Sequence, residues 1–291
     1  MSHLPKSILL ATDGSEDARM AARAAANLSE KARAELHILH AWQIVPHPFI
    51  DPGDYEEEAR RTLEEETRLV SDAGGIVGEA HLVMGTPVDA ILDLGEELGA
   101  DLIVVGSRGH GALGRLVLGS VSEGVVHHST HPVLVLRGGE DAWPPERVVI
   151  GEDGSKAAKK AGDLAASIGA LYRAKVILVR AYPELPEADA VGRALDPRAV
   201  DDALRRAERD LHARAEELGG LAGSRPRIEI AAGDPAVALL KEAREGDEIR
   251  TLIAVGSRGL GLARRLRLGS VSTKVLRAAG GPVLVCAANA P

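Results

Sequence analysis

This chain has few cysteines and few aromatic residues, and it has no excess of positive charge. Of 291 residues only Cys286 is a cysteine, so an intrachain disulfide and a cysteine-based metal cage are both excluded. Aromatic residues make up 2%, too few for a platform on which the bases of a single-stranded nucleic acid would stack. The net charge of -8 also argues against an extended nucleic-acid interface, because such an interface needs a basic surface.

Long apolar runs are missing as well. No stretch approaches the roughly 20 apolar residues of a membrane-spanning helix, and the apolar part of the N-terminal segment is too short for a signal peptide. We therefore expect a cytoplasmic protein without a membrane partner. Hydrophobic residues nevertheless make up 45% of the chain, which is typical of a folded globular protein rather than a disordered one.

The chain contains an internal repeat. ILLATDGSEDA at 8–18 returns as VVIGEDGSKAA at 148–158, and DLIVVGSRG at 101–109 returns as TLIAVGSRG at 251–259. The separation between equivalent residues grows slightly along the chain, as small insertions in loops would cause. We interpret the repeat as a duplicated domain.

Each copy alternates short apolar runs with amphipathic stretches, which predicts an α/β fold. The apolar runs of copy one do not strictly alternate apolar with polar residues, so we expect strands that are covered on both faces. In the stretches between them the apolar residues recur at the spacing of a helix. Such an alternation predicts a doubly wound parallel sheet that binds ligands beyond the carboxyl ends of its strands. The predicted strands of copy one are 8–11, 36–39, 76–83, 102–105 and 133–136, and its predicted helices are 16–34, 55–73, 87–98 and 119–129. We expect domains at 1–138 and 146–291, joined where glycine, proline and charge interrupt the apolar pattern.

A glycine-rich segment follows the fourth predicted strand of each copy. GSRGHGALGRLVLGS at 106–120 and GSRGLGLARRLRLGS at 256–270 share G-x-x-G, then nine residues, then Gly-Ser. Gly106 and Gly109 are expected to allow positive φ angles and a close backbone approach. The helix that opens at Gly119 presents free N–H groups and its positive end. This arrangement suits a phosphate chain, with the hydroxyls of Ser120 and Ser122 as further donors or as ligands of a phosphate-bound Mg²⁺.

Three other motifs fit less well. GHGALG at 109–114 matches the dinucleotide fingerprint, but its counterpart GLGLAR at 259–264 lacks the third glycine, and the motif follows the fourth strand instead of the first. A Walker A loop needs Gly-Lys-Ser or Gly-Lys-Thr, which occurs nowhere in the chain. The nucleophile elbow G-x-S-x-G is also absent. Conventional motor-type NTPases and hydrolases of the elbow type are therefore excluded.

The repeated motif resembles the nucleotide motif of the universal stress protein family, in particular its ATP-binding branch. The resemblance extends to ATDGS and GEDGS after the first strand and to the closing HPVLV and GPVLV. It implies two tandem five-stranded parallel sheets of order 3-2-1-4-5, like those of adenine nucleotide alpha hydrolases, with ATP and Mg²⁺ across strands one and four. Members commonly pair through the fifth strand, so the two copies are expected to form an internal pseudo-dimer. A homodimer of the whole chain stays open.

The resemblance also assigns nucleotide-binding residues. Asp13 and Asp153 fall on the adenosine side, although an Asp before Gly-Ser also serves as a helix cap or turn residue. The residues that the resemblance places near the adenine lie at the ends of strands. A side chain in that position can equally face solvent. The full implied set in copy one is Asp13, His40, Ala41, Met84, Gly85, Gly106, Arg108, Gly109, Gly119, Ser120, Val121 and Ser122. In copy two it is Asp153, Arg180, Ala181, Gly233, Gly256, Arg258, Gly259, Gly269, Ser270, Val271 and Ser272.

Two functions are compatible with these residues. A binding module would hold ATP with Mg²⁺ and act as a stress-response sensor or regulator. A slow Mg²⁺-dependent ATP hydrolase would also need groups that orient water and stabilise charge in the transition state. Arg264, Arg265 and Arg267 could contact phosphates but are more simply a solvated face, and no Glu or His recurs beside the motif. The sequence therefore favours binding: it assigns no catalytic residue, and it places Mg²⁺ on the ATP phosphates with no protein ligand directly assigned.

Overall fold

The structure, a computed structural model, describes residues 3–44, 51–109, 118–182, 197–257 and 268–288. Half one contains β1 (Ser7–Thr12), α1 (Glu16–Ala32), β2 (Glu35–Trp42), α2 (Pro52–Asp72), β3 (Val77–Met84), α3 (Pro87–Glu97), β4 (Leu102–Gly106), α4 (Ser120–His128) and β5 (Val133–Leu136). A short 3-10 helix, Glu140–Ala142, follows. Half two contains β6 (Arg147–Gly151), α5 (Lys156–Tyr172), β7 (Lys175–Tyr182), α6 (Pro197–Ala222), β8 (Arg227–Ala232), α7 (Pro235–Arg244), β9 (Thr251–Gly256), α8 (Ser270–Ala278) and β10 (Val283–Cys286).

The strands form one ten-stranded sheet of order β3-β2-β1-β4-β5-β10-β9-β6-β7-β8. Each half thus has the predicted order 3-2-1-4-5, and the predicted fold class is confirmed. The pairs within each half are parallel, whereas β5 and β10 run antiparallel, with Leu134 opposite Leu284. The two fifth strands therefore join the halves into an internal pseudo-dimer.

Helices cover both faces of the sheet. Consecutive residues of β1 point to opposite faces: Leu10 packs with α1 and α2, Leu9 packs with α3 and α4, and both are fully buried. The expectation of two covered faces is wrong for β3, most of whose side chains are exposed or half-buried, because β3 lies at the edge of the sheet. Among the helices of the described ranges, none combines the length and apolarity that a bilayer crossing demands.

Candidate functional site

A cavity of about 500 Å³ opens at the carboxyl ends of β1 and β4, and we call it the β1–β4 cavity. Its volume lies in the range of small-molecule sites. One part of the wall is apolar and includes Leu39, Ile91 and Val105. The wall also contains most of the residues that the sequence predicted for half one. These are Asp13, Ala41, Gly106, Arg108, Gly109, Gly119, Ser120, Val121 and Ser122.

The turn after β1 is fixed by short hydrogen-bonded links. Oδ1 of Asp13 accepts from the backbone N–H of Ser15 at 3.0 Å, and Gly14 has φ +75°. The hydroxyl of Ser15 caps α1 by accepting from the N–H of Ala18, and it also contacts the carbonyl of Arg108 at 3.2 Å. Ser15, rather than Asp13, is thus the helix cap. The carboxylate of Asp13 is held at the cavity wall beside the glycine-rich segment.

Gly106 and Gly109 allow close contact, as expected, but not through positive φ angles. A Cβ atom on Gly106 would lie 2.7 Å from the carbonyl carbon of Asp17 in the first turn of α1. One on Gly109 would lie 2.3 Å from Oδ2 of Asp13. Neither glycine has a left-handed φ, so that part of the prediction is wrong. The requirement for glycine comes from the neighbouring chain and not from the turn itself.

The first turn of α4 forms the other side of the cavity. Gly119 is its N-cap and donates its N–H to the carbonyl of Ser107 at 2.7 Å, with no side-chain hydrogen bond to the cap. The first backbone N–H groups of the helix lack intrahelical partners and carry the positive end of the dipole. The hydroxyl of Ser122 donates to the carbonyl of Gly106 at 2.7 Å. Its proton therefore holds the two segments together, and only the lone pairs of that oxygen can serve a ligand.

Three predicted residues of half one lie outside the cavity wall. Nδ1 of His40 is 2.9 Å from the carbonyl oxygen of Thr12, and the ring is buried. Met84 is 65% exposed at the end of β3, and the N–H of Gly85 donates to the carbonyl of Trp42. Their role toward a nucleotide stays a prediction.

Half two repeats the framework of the site. Oδ1 of Asp153 accepts from the N–H of Ser155 at 2.9 Å. A Cβ on Gly256 would lie 2.7 Å from the backbone nitrogen of Ala158. The N–H of Gly269 donates to Ser257, and the hydroxyl of Ser272 donates to the carbonyl of Gly256 at 2.6 Å. The same close approach of strand, helix and loop is thus built twice.

The remaining predictions for half two are less uniform. Ser270 and Val271 begin α8, as Ser120 and Val121 begin α4. Ala181 pairs with Ala231 across β7 and β8, and the neighbouring Arg180 guanidinium lies 5.5 Å from the centre of the Tyr182 ring. Gly233 has φ +97° and closes the turn by donating to Tyr182. Arg258 and Gly259, as well as the arginines at 264, 265 and 267, lie outside the described residues.

Comparison with known proteins identifies the family. The family model of the universal stress protein family matches residues 5–137 and 145–287. The chain belongs to the universal stress protein family. A universal stress protein of Mycolicibacterium smegmatis is 28% identical over 298 residues, and the match covers 96% of each chain. One from Thermus aquaticus is 41% identical over 138 residues, which is 45% of this chain and 98% of that protein.

Solved structures agree with the family at the level of the fold. The crystal structure of a universal stress protein from Archaeoglobus fulgidus has a TM-score of 0.68 and 24% identity, with 99% of both chains covered. The tandem arrangement therefore recurs within this family over the full length of the chain.

One element of this family member's site was not predicted: a buried carboxylate in α1. Asp17 is 4% exposed and accepts two hydrogen bonds from the guanidinium of Arg108, at 2.8 and 2.9 Å, and one from the hydroxyl of Ser107. These hydrogen bonds from Arg108 to Asp17 raise the pKa of the guanidinium further. The repeat concealed Asp17, because its counterpart is Ala157. Arg108 thus contributes a fixed positive charge to the wall, already paired with Asp17.

A second buried carboxylate, Glu66 of α2, supports the β1 turn. Its Oε2 accepts from the hydroxyl of Thr12 at 3.1 Å, and its Oε1 lies 3.4 Å from Nε of Arg19. Burial raises the pKa of Glu66, and the contacts with Thr12 and Arg19 oppose this only in part. Half two inverts the charges, since Glu152 stands where half one has Thr12 and pairs with Arg214 of α6 at 3.3 Å.

The raised pKa makes the stability of half one depend on pH through Glu66. Its contribution is fully present below the unfolded-state pKa of about 4.3 and is lost as pH rises through the higher folded-state pKa. In the variant Glu66→Gln the side chain stays neutral and still accepts from Thr12. We expect its free energy of unfolding, relative to the unchanged protein, to rise between pH 4 and pH 8. Urea unfolding at each pH measures the difference, and a difference independent of pH would contradict the assignment.

Proposed function

We propose that this universal stress protein binds ATP with Mg²⁺ in the β1–β4 cavity and in the equivalent place of half two, and acts as a nucleotide-dependent sensor or regulator in the stress response. One observation carries the proposal: the turn at 106–109, which begins and ends with glycine and which we call the glycine turn, faces the first turn of α4 across a cavity of suitable size, and no side chain caps that end of the helix. Each proposed domain, 1–138 and 146–291, would then hold its own nucleotide.

The two parts of the cavity suit the two parts of ATP. The apolar wall at Leu39, Ala41 and Ile91 suits the adenine ring. The glycine turn and the N–H groups at the start of α4 suit the phosphates, because a helix N-terminus attracts negative charge. Asp13 lies between the glycine turn and β1, where it can accept a hydrogen bond from the ribose hydroxyls.

The charges around the cavity also fit a metal–nucleotide complex. Asp17 is neutralised by Arg108, so it adds little repulsion toward phosphate. Bound Mg²⁺ would neutralise phosphate charge and organise the phosphate oxygens. Ser120 is exposed at the cavity wall, and its hydroxyl is the protein oxygen best placed to approach the metal. Phosphate oxygens and water would supply the other ligands.

Binding is favoured over hydrolysis by the side chains at the wall. Of the cavity residues that the structure describes, only Asp13 and Arg108 are charged, and both are held by internal contacts. A hydrolase would need a group free to orient water toward the terminal phosphate. Hydrolysis would therefore be slow, and ATP would stay bound in its intact form.

Calorimetric titration of nucleotide-stripped protein tests this proposal. We expect ATP with Mg²⁺ to bind with a stoichiometry of about two per chain, and GTP to bind at least about tenfold more weakly because the adenine lies against an apolar wall. Phosphate release followed over many hours in the same samples separates retention from hydrolysis. Absence of ATP uptake at millimolar concentration would contradict the binding proposal, and steady multiple-turnover phosphate release would support the hydrolase instead.

A further inference from the structure

A second cavity lies between the two halves, on the side of the sheet covered by α1 and α5. Its volume is about 550 Å³, and it separates the N-terminal segment of half one from α5 of half two. We call it the inter-half groove. We propose that this groove binds a small molecule bearing two or more phosphoryl groups, independently of the nucleotide cavities.

The groove concentrates positive charge in a protein whose net charge is -8. Lys6 of half one and three lysines of α5 line it: Lys156, Lys159 and Lys160. Of these four lysines, only Lys159 forms an ion pair with another described residue, the exposed Glu217 at 3.3 Å. Such a local excess of like charge attracts anions.

The two carboxylates in the groove are already occupied by other partners. Oδ2 of Asp101 accepts from the backbone N–H groups of Lys6 and Ser7, at 2.7 and 3.1 Å. Oδ1 of Asp163 accepts from the guanidinium of Arg214 at 2.7 Å. Neither carboxylate is within ion-pair distance of a groove lysine, so the positive charge of the lysines is not neutralised inside the groove.

The lysines of α5 stand where the helix dipole disfavours them. Lys156 is the first residue of α5, and Lys159 and Lys160 are its fourth and fifth residues, where the first turn ends and the second begins. A helix N-terminus carries partial positive charge and favours acidic residues. The corresponding helix of half one follows that rule, with Glu16 and Asp17 in its first turn. An anion bound in the groove would offset both the lysine charges and the dipole.

The equivalent place in half one has the opposite charge. The counterparts of the four lysines are Glu146, Glu16, Arg19 and Met20. Arg19 is paired with Glu66, and Arg23 of the same helix is paired with Glu140 of the connecting segment at 2.6 Å. The positive groove is therefore a property of half two and does not follow from the fold alone.

The apolar surface of the groove limits the kind of ligand. Leu4, Pro132 and Leu164 line it, and the buried Cys286 lies at its base. Burial raises the pKa of the Cys286 thiol to about 12, against the effect of Lys160, so the thiol stays neutral. A cavity of a few hundred Å³ with lysines on two sides suits a small phosphorylated molecule better than a polymer.

Calorimetric titration with inorganic pyrophosphate, on the full chain in Mg²⁺-free buffer, tests the groove. The double variant Lys156→Ala/Lys160→Ala is expected to bind about tenfold more weakly, because two charges near the ligand are removed. Lys6→Ala, across the groove and on the other half, should weaken binding as well. Lys31→Ala/Lys175→Ala is the matched control, because it removes two exposed lysines elsewhere, and it should bind within about twofold of the unchanged protein.

The outcomes separate the groove from its alternatives. Weakening by Lys6→Ala and by the α5 double variant, together with unchanged binding in Gly109→Val, would support the groove. Equal weakening by the control pair would show general charge attraction and overturn the proposal. A fall in the number of pyrophosphate molecules bound per chain in Gly109→Val, with no change in the lysine variants, would place pyrophosphate in the nucleotide cavities and overturn it too. Thermal unfolding of each variant verifies that the fold is intact.

Discussion

ATP binding in half one is expected to weaken at least about tenfold when Gly109 is replaced by valine. A Cβ atom at this position would lie 2.3 Å from Oδ2 of Asp13, and the two methyl groups of valine need still more room. The carboxylate of Asp13 would be displaced, and the side chain would enter the space between the glycine turn and β1. Half two has its own glycines, so the number of nucleotides bound per chain should fall from about two to about one.

Calorimetric titration with ATP and Mg²⁺ measures both quantities. Gly220→Val is the matched control, since a Cβ at this exposed glycine would meet nothing within 4 Å. Its affinity and stoichiometry should equal those of the unchanged protein. If Gly109→Val also left both quantities unchanged, the glycine turn would not be part of the nucleotide site.

Replacing Gly106 by alanine should lower the free energy of unfolding by about 2–4 kcal/mol, because the new methyl group meets backbone. The added Cβ would lie 2.7 Å from the carbonyl carbon of Asp17 and 2.9 Å from the nitrogen of Ala18. Backbone atoms in the first turn of a packed helix cannot rotate away as a side chain can. Gly256→Ala should behave alike, since its Cβ would lie 2.7 Å from the nitrogen of Ala158.

Urea unfolding followed by circular dichroism measures these losses. Gly220→Ala is the control, because a glycine inside helix α6 gains helix propensity from the change and meets no neighbour. A change of less than about 0.5 kcal/mol at both Gly106 and Gly256 would contradict the close approach of β4 to the first turn of α1 and of β9 to the first turn of α5.

The sequence predicted the fold well because two independent signals agreed. The repeat set the domain organisation, and the alternation of buried runs with amphipathic stretches predicted the strands and helices of half one to within a few residues. The exposure of most β3 side chains was not expected from the residues, since the apolar run of this strand resembles those of the central strands. Strand order is a long-range property, and here it came from the resemblance to a family rather than from the residues themselves.

The site was predicted where backbone geometry determines the residue and missed where side chains form unique pairs. Gly106 and Gly256 recur because each faces the first turn of a helix. Asp17 has no counterpart in half two, so its pairing with Arg108 left no repeated pattern. The ring of His40 points to the carbonyl of Thr12, a choice of rotamer that a single sequence does not specify.

The central claim is that the glycine turn and the start of α4 hold the phosphates of ATP. A crystal structure of the chain grown with excess ATP and Mg²⁺ tests it most directly. We predict that phosphate oxygens lie within hydrogen-bonding distance of the backbone N–H groups of residues 120–122, with the adenine against Leu39 and Ala41. Nucleotide bound elsewhere, or an empty β1–β4 cavity at saturating ATP, would contradict the account.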